Sequence, residues 1–166
     1  MPTSETPERR PVRRRAARAF LLTPDHHVLL MQIRTPDGAR LWIAPGGGID
    51  GEETPEAALL RELEEEVGLK GVPLGALIWR RHHTFNWGEW RVSQREIFHV
   101  VHVDRFEPVM TDEEEAAMVD AFRWWPLAEL ASSRDRFIPR GIADILARYI
   151  ADGAPAEPPD EEILID

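Results

Sequence analysis

The stretch from Gly46 to Leu69, GGGIDGEETPEAALLRELEEEVGL, constrains this chain more than any other. Pro45 followed by three glycines predicts a tight turn. Thr54, with Pro55 at the first helical position, predicts a helix start, and Gly68 its stop. Leu59, Leu63 and Val67 recur at four-residue spacing, so one face of that helix is apolar and has to be buried. Glu62, Glu65 and Glu66 stand at i, i+3 and i+4 and share a second face, roughly a third of a turn from the first at about 100° per residue. Only Arg61 lies inside the acidic cluster, and Lys70 comes after the stop. Like charges at this spacing cost about 0.2–0.5 kcal/mol a pair. Two readings fit the physics equally: a solvated acidic face, or an oxygen-rich site for Mg²⁺ or Mn²⁺ in which the glycine turn adds a backbone carbonyl with no side chain in the way.

The spacing resembles the Nudix box. Gly47, five residues, Glu53, seven residues and then Arg61-Glu62-Leu63-Glu64-Glu65-Glu66-Val67-Gly68-Leu69 satisfies every constrained position of that motif. Trp42 to Gly48 and the later run Arg123 to Leu130 are similar to the family as well; the two tails are not. The resemblance implies an α/β fold, an α/β/α sandwich with a mixed, curved sheet between helices. It implies Mg²⁺-dependent hydrolysis, with Mn²⁺ as a substitute, of the pyrophosphate bond in a nucleoside diphosphate linked to another moiety. Glu62, Glu65 and Glu66 stand where the family's metal-binding carboxylates stand, and the backbone carbonyl of Gly46 is a further expected ligand. The resemblance also implies catalytic roles for Glu62, Glu66 and a late-chain glutamate, Glu114 or Glu115, of which Glu115 is the candidate. Arg61 and Glu53 look structural, the guanidinium pairing with Glu53 and orienting its neighbours by bidentate bonds. The rival reading is a non-catalytic nucleotide sensor or regulatory module on the same fold. A Nudix-fold isomerase of a lipid-precursor diphosphate usually needs a cysteine, and this chain has none.

At 166 residues the chain has room for one domain with a substantial core. A net charge of −10 argues against a general nucleic-acid binder, and no DNA partner is expected. An anionic, nucleotide-type small-molecule substrate must therefore meet local positive charge, supplied by metal and a few arginines. Without cysteine there is no disulfide framework and no thiol chemistry. No apolar run approaches the ~18 residues of a membrane span. The expectation is a cytoplasmic protein without membrane contact, and the resemblance favours a homodimer.

Along the chain, residues 1–12 read as a disordered arm, 13–151 as the Nudix domain and 152–166 as an acidic, proline-rich tail. Arg9, Arg10, Arg13, Arg14 and Arg15 form a basic cluster that could touch a phosphate or RNA, but it is short and beside no other basic patch, and a solubilising arm or a partner for the acidic tail is the favoured reading. Ala17 to Leu22 and Val28 to Ile33 are predicted to form a hairpin about Pro24-Asp25, with His26 and His27 exposed at its tip. Trp42 is expected in the core. Paired strands are predicted over Val72 to Arg81 and Val92 to Val103, joined by a loop, His82 to Arg91, that carries Phe85, Trp87 and Trp90. Exposed aromatic area is costly unless covered, so this loop faces either substrate or another protein surface. Arg34, Phe85 and Trp87 are the candidate substrate contacts. Gln94 and Glu96 share one strand face, lining a cleft if it is the inner one. Ile138 to Tyr149 has the apolar spacing of a second amphipathic helix.

Overall fold

The computed structural model describes residues 7–166. Strand β1 (Arg10–Leu22) is its central element, because it is buried on both faces over Ala19 to Leu22. Phe20 and Leu22 enter one core and Ala17, Ala19 and Leu21 the other, the two-residue alternation of a strand between two layers. Around it run β2 (His27–Arg34), β3 (Arg40–Ile43), β4 (Gly46–Gly48), β5 (Leu77–Trp87), β6 (Trp90–His102), β7 (Val119–Pro126), β8 (Phe137–Ile138) and β9 (Glu162–Ile165). The sheet order is β8-β3-β2-β1-β6-β5-β9, with β4 added to β1 and β7 to β2. The β1–β6, β3–β8 and β5–β9 pairs are parallel and the others antiparallel, which makes the sheet mixed.

Helix α1 (Pro55–Val67) covers one face, where Leu59, Leu63 and Val67 meet Ala17, Ala19, Leu21 and Leu29. Helices α3 (Leu127–Ser132) and α4 (Ile142–Asp152) cover the other, packing Leu130, Ile142, Ile145 and Leu146 against Phe20, Val28, Phe98 and Trp125. A short helix, α2 (Glu113–Ala116), precedes β7. The expected α/β/α sandwich is present, and Trp42 is in the core at 7% exposure.

Four expectations about local structure change. The predicted hairpin reduces to a turn: β1 and β2 share only the Leu22–Val28 pair before they diverge. The backbone groups of β1 instead pair along its whole length with β6 and, on its other edge, with β4. The aromatic loop is a strand pair. β5 and β6 pair from Leu77–His99 to Trp87–Trp90, with one register shift between Leu77 and Trp79, and Gly88, at φ 56°, turns the chain between them. Polar and aromatic residues alternate there because one face lines a cavity, so the apolar pattern of a one-sided strand is missing.

The ordered chain starts earlier and ends later than composition suggests. Arg10, Pro11 and Val12, assigned to the arm, are paired with Trp90, Arg91 and Val92. In the acidic tail, Ile163 and Leu164 pair with His82 and His83 as part of β9. Charge and proline content disfavour independent folding, but an existing sheet edge supplies hydrogen-bond partners that an isolated segment lacks. Residues 1–6 of the expected arm lie outside the described residues.

Candidate functional site

Helix α1 carries the acidic cluster and is fixed at both ends. The Thr54 hydroxyl accepts from the Ala57 N–H at 3.1 Å, and Gly68, at φ 76°, lets the Gly68 and Leu69 N–H groups donate to the Glu64 and Leu63 carbonyls. Burial of the Leu59–Leu63–Val67 stripe turns Glu62 and Glu66 inward, and they are only 6% and 4% exposed. Two glycines make room for them. A Cβ on Gly47 would lie 2.6 Å from Glu62 Cδ, so only glycine leaves space for that carboxylate. The Gly46 N–H donates to Glu66 Oε2 at 2.8 Å, and a side chain at Gly46 would strike the Ala17 carbonyl at 2.2 Å.

Arg61 organises the rim. Its Nε and Nη2 donate to the two oxygens of Glu53 at 2.9 and 2.8 Å, Nη2 donates to the Gly48 carbonyl at 3.1 Å, and Nη1 donates to Glu62 Oε1 at 2.9 Å. Hydrogen bonds from Arg61 hold Glu53 down at about 2. The pairing expected of Arg61 and Glu53 is therefore present as a two-bond fork. Glu65 stays on the rim: its carboxylate is 41% exposed and 3.4 Å from Arg61 Nη1.

The segment after β6 completes the cluster by docking on the open end of α1. The Val109 and Thr111 N–H groups donate to the Val67 and Glu65 carbonyls at 3.1 and 2.9 Å, which satisfies helix-end acceptors. Asp112 then caps α2 by accepting from the Glu114 and Glu115 N–H groups. Glu114 points outward, whereas one carboxylate oxygen each of Glu62, Glu66 and Glu115 lies within 4.8 Å of the others. Glu62 Oε2 and Glu115 Oε2 are buried without a hydrogen-bond partner. Burial pushes Glu62 up, against the hydrogen bond from Arg61 and with added repulsion from Glu115. Burial pushes Glu66 well above the ordinary carboxylate range, against the Gly46 N–H and the field of Arg18, and Glu115 adds to the rise. Of the residues expected around a metal, the fold thus brings Glu62, Glu66 and Glu115 together, sets the Gly46 N–H against them and leaves Glu65 outside.

A cavity of about 940 Å³ opens beside this cluster. One wall comes from β1, β6 and β5, including Arg14, Arg18, Gln94, Arg81, His83, Phe85 and Trp87; the other comes from β3, β8 and residues 33–39. Its floor is a buried ion triad. Glu96, 3% exposed, accepts from Arg18 Nε and, at 2.9 Å, from Arg81 Nη1, while Arg18 Nη1 donates to the Ala44 carbonyl at 3.0 Å. Burial alone would raise the Glu96 carboxyl, but the two arginines outweigh it and hold it low. Burial likewise works against the Arg18 cation, and Glu96 outweighs it.

Phe85 and Trp87 line the cavity, their rings edge to face at 6.4 Å, and His83 packs on Phe85 at 4.6 Å. Arg34 does not reach it: its guanidinium pairs with Asp120 at 2.8 Å on the outer surface. Sequence reasoning missed Arg18, Arg81 and Asp166, the last of which bonds His83 from the end of β9. For Arg18 and Arg81 a signal existed, since each is a charge inside an otherwise apolar or alternating strand. For Asp166 there was none, because its place depends on the β5–β9 pairing.

Comparison with known proteins agrees with this architecture. The family description "NUDIX domain" matches residues 12–148. The RNA pyrophosphohydrolase of Alkalilimnicola ehrlichii is 33% identical over 137 residues, spanning 74% of this chain and 76% of that protein. Diphosphoinositol polyphosphate phosphohydrolase 3-alpha of Mus musculus is 41% identical over 68 residues, 37% of this chain and 39% of that protein. Among solved structures, a MutT NUDIX hydrolase from Burkholderia pseudomallei aligns with a TM-score of 0.61 at 24% identity, over 80% of this chain and 95% of that one. The NUDIX domain of Shewanella oneidensis NrtR, complexed with ADP ribose, aligns with a TM-score of 0.63 at 20% identity, over 84% of this chain and 89% of that one. At these identities the two structures establish the fold.

Proposed function

The chain belongs to the Nudix family and is a pyrophosphohydrolase, and on that premise we propose that it cleaves nucleotide-type substrates at Glu62, Glu66 and Glu115 with Mg²⁺ as the metal. The observation that carries this reading is the convergence of three carboxylates, two of them with a buried oxygen left unpartnered, beside a cleft rich in arginine and aromatic rings. Hard, anionic oxygen donors suit Mg²⁺, and Mn²⁺ can replace it. The bare hollow over Gly47, which a single Cβ would fill, leaves Glu62 free to serve as a ligand.

When bound, the metal supplies Lewis-acid neutralisation of the diphosphate oxygens and eases deprotonation of the attacking water. The chain's own residues do the rest. Arg61 fixes Glu62, and the Gly46 N–H fixes Glu66, so both present their carboxylates from a rigid helix. Glu115, whose Oε2 has no partner, is the proposed acceptor of the proton that the water releases. The water oxygen bonds to phosphorus, and the bridging P–O bond breaks with its electron pair going to the leaving phosphate. Arg14 lines the cavity beside Gly48 and is the proposed phosphate contact, with a nucleobase against Phe85 and Trp87. The metal-dependent release of phosphate or nucleotide from a panel of ADP-ribose, nucleoside triphosphates and 5′-triphosphorylated RNA tests the reading; no turnover of any member would reject it.

The wall residues carry their own expectation. Phe85→Ala and Trp87→Ala remove stacking worth about 1–3 kcal/mol per base. KM for a nucleotide substrate is expected to rise by roughly tenfold or more, while hydrolysis of a substrate lacking a base is unaffected. Equal losses on both substrates would place the aromatics outside base recognition.

The raised carboxylates also set a pH dependence. A group whose pKa is higher in the folded than in the unfolded state stabilises the fold below its unfolded value, about 4.3 for Glu, and that contribution disappears as pH rises through the folded value. Glu62 and Glu66 therefore destabilise the metal-free protein toward neutral and alkaline pH. Bound Mg²⁺ replaces their protons. The rise in melting temperature on adding Mg²⁺ is expected to be larger at pH 8 than at pH 5.5, with proton release on titration measured by calorimetry in buffers of different ionisation enthalpy. A Mg²⁺ effect independent of pH would contradict the assignment.

A further inference from the structure

The family description matches residues 12–148, yet the sheet of this chain continues past that limit. Strand β9 pairs in parallel with β5, setting Glu162 beside Arg81, Leu164 beside His83 and Ile165 beside Thr84. Alternation then divides its side chains between two faces. Glu162 and Leu164, half-buried, share the cleft face with Arg81 and His83, whereas Ile163 and Ile165 stand exposed on the other. So short a strand, with its two β-branched residues in water, gains little from burial, and polar contacts secure it instead. Glu162 lies 3.8 Å from Arg81 Nε, the Asp166 N–H donates to the Thr84 carbonyl at 2.9 Å, and Arg91 Nη1 donates to the Asp166 main-chain oxygen at 2.6 Å.

These contacts deliver the Asp166 side chain to the cleft, where its carboxylate meets His83 Nε2. The bond from His83 holds the Asp166 carboxyl below its ordinary range. The other ring nitrogen, Nδ1, lies 3.4 Å from Arg81 Nη2. An ionised carboxylate can only accept a hydrogen bond and a guanidinium can only donate one. Asp166 therefore requires a proton on Nε2 and Arg81 a lone pair on Nδ1, which together select the neutral Nε2–H tautomer of His83. Since Glu96 holds Arg81 and Arg18 holds Glu96, one chain of hydrogen bonds runs from the cleft floor through His83 into β9.

With both nitrogens engaged, His83 offers the cleft a ring face and a carbon edge. Phe85 packs on that ring at 4.6 Å with 33° between the planes, and Trp87 meets Phe85 edge to face at 6.4 Å. Turning the imidazole over would set carbon atoms against Asp166 and Arg81 and break both hydrogen bonds. The ring is thus pinned in the one orientation that supports Phe85. Asp166 buries little itself, its side chain being 65% exposed, so its contribution is the hydrogen bond and not packing.

We propose that Asp166 is a positioning residue for substrate recognition: through His83 it sets the angle of Phe85, and β9 thereby completes the wall that receives the flat, aromatic half of the substrate. This rests on the nucleotide reading of that wall and deepens it, by assigning part of the site to a strand outside the matched family domain.

The test is ADP-ribose binding by calorimetry, without divalent ions, to the full chain as wild type, D166A, D166N, H83A and H83A/D166A. D166A is expected to bind about fivefold more weakly or worse, the lower end of what loss of a base–aromatic stack costs. D166N keeps an oxygen for the Nε2–H and should bind within about twofold of the wild type. H83A/D166A should be no weaker than H83A, because Asp166 acts only through that ring. In Mg²⁺-dependent turnover the loss in D166A should fall on KM and not on kcat. Imidazole ¹⁵N spectra should place the His83 proton on Nε2 in the wild type and in D166N, and show mixed tautomers in D166A. Equal affinity of wild type and D166A, including no measurable binding by either, would overturn the proposal. So would a further loss on adding D166A to H83A, or D166N binding as weakly as D166A. Because affinity and tautomer are read without turnover, an absence of hydrolysis on every substrate would reject the catalytic reading while these measurements still decide the role of Asp166.

Discussion

Glu66→Gln is expected to fold normally and to lose at least about 100-fold of its pyrophosphohydrolase activity, since even residues that only support metal ligands cost 10–100-fold when changed. Gln keeps the volume and still offers an oxygen to the Gly46 N–H, so the glycine turn retains its contact. What disappears is the negative charge, which burial and Glu115 already make unfavourable in the metal-free protein. The metal-free variant should therefore melt no lower than the wild type at pH 8, and its melting temperature should respond less to Mg²⁺. Near-wild-type turnover together with an undiminished Mg²⁺ response would remove Glu66 from the site.

The largest loss of stability is expected from Glu96→Ala. This carboxylate is 3% exposed and accepts hydrogen bonds from both Arg18 and Arg81, so its removal leaves two buried guanidinium groups facing each other without an anion. Breaking a buried ion pair from one side costs about 3–5 kcal/mol. For a domain of this size each kcal/mol is worth about 2–4 °C, so the melting temperature should fall by roughly 10 °C. Replacing all three residues, as R18M/R81M/E96L, should recover most of that loss, because no member of the triad is then left buried without its counter-charge. The triple variant should nonetheless bind anionic substrate poorly, having lost two cations of the cleft. If Glu96→Ala melts within about 2 °C of the wild type, the triad does not hold the floor of the cleft.

The box helix was legible in the sequence because its signals are local. Cap residues, a four-residue apolar stripe and a glycine stop all act within a few turns of chain, and α1 spans Pro55–Val67 where those signals place it. Glu62 and Glu66 could be named for the same reason. Glu65 shows the limit of spacing alone: it stands about 100° around the helix from Glu66, which leaves it beside Arg61 on the rim. The cleft was not legible because no local rule pairs the first strand with residues 90–102 in parallel. That pairing turns an apparent arginine-rich arm into a strand and an apparent aromatic loop into a wall. The acidic tail was misread for the same cause, since its partner, β5, lies some eighty residues earlier.

One helix holds the interior together through Leu59, Leu63 and Val67 and grips the reaction centre through the residues next to them. Selection cannot adjust one without disturbing the other, so descendants of this chain inherit their chemistry and half of their interior as a single unit. The aromatic wall and β9 carry no such burden. Changes of diet should therefore be written in the strand pair and the tail long before they reach the helix.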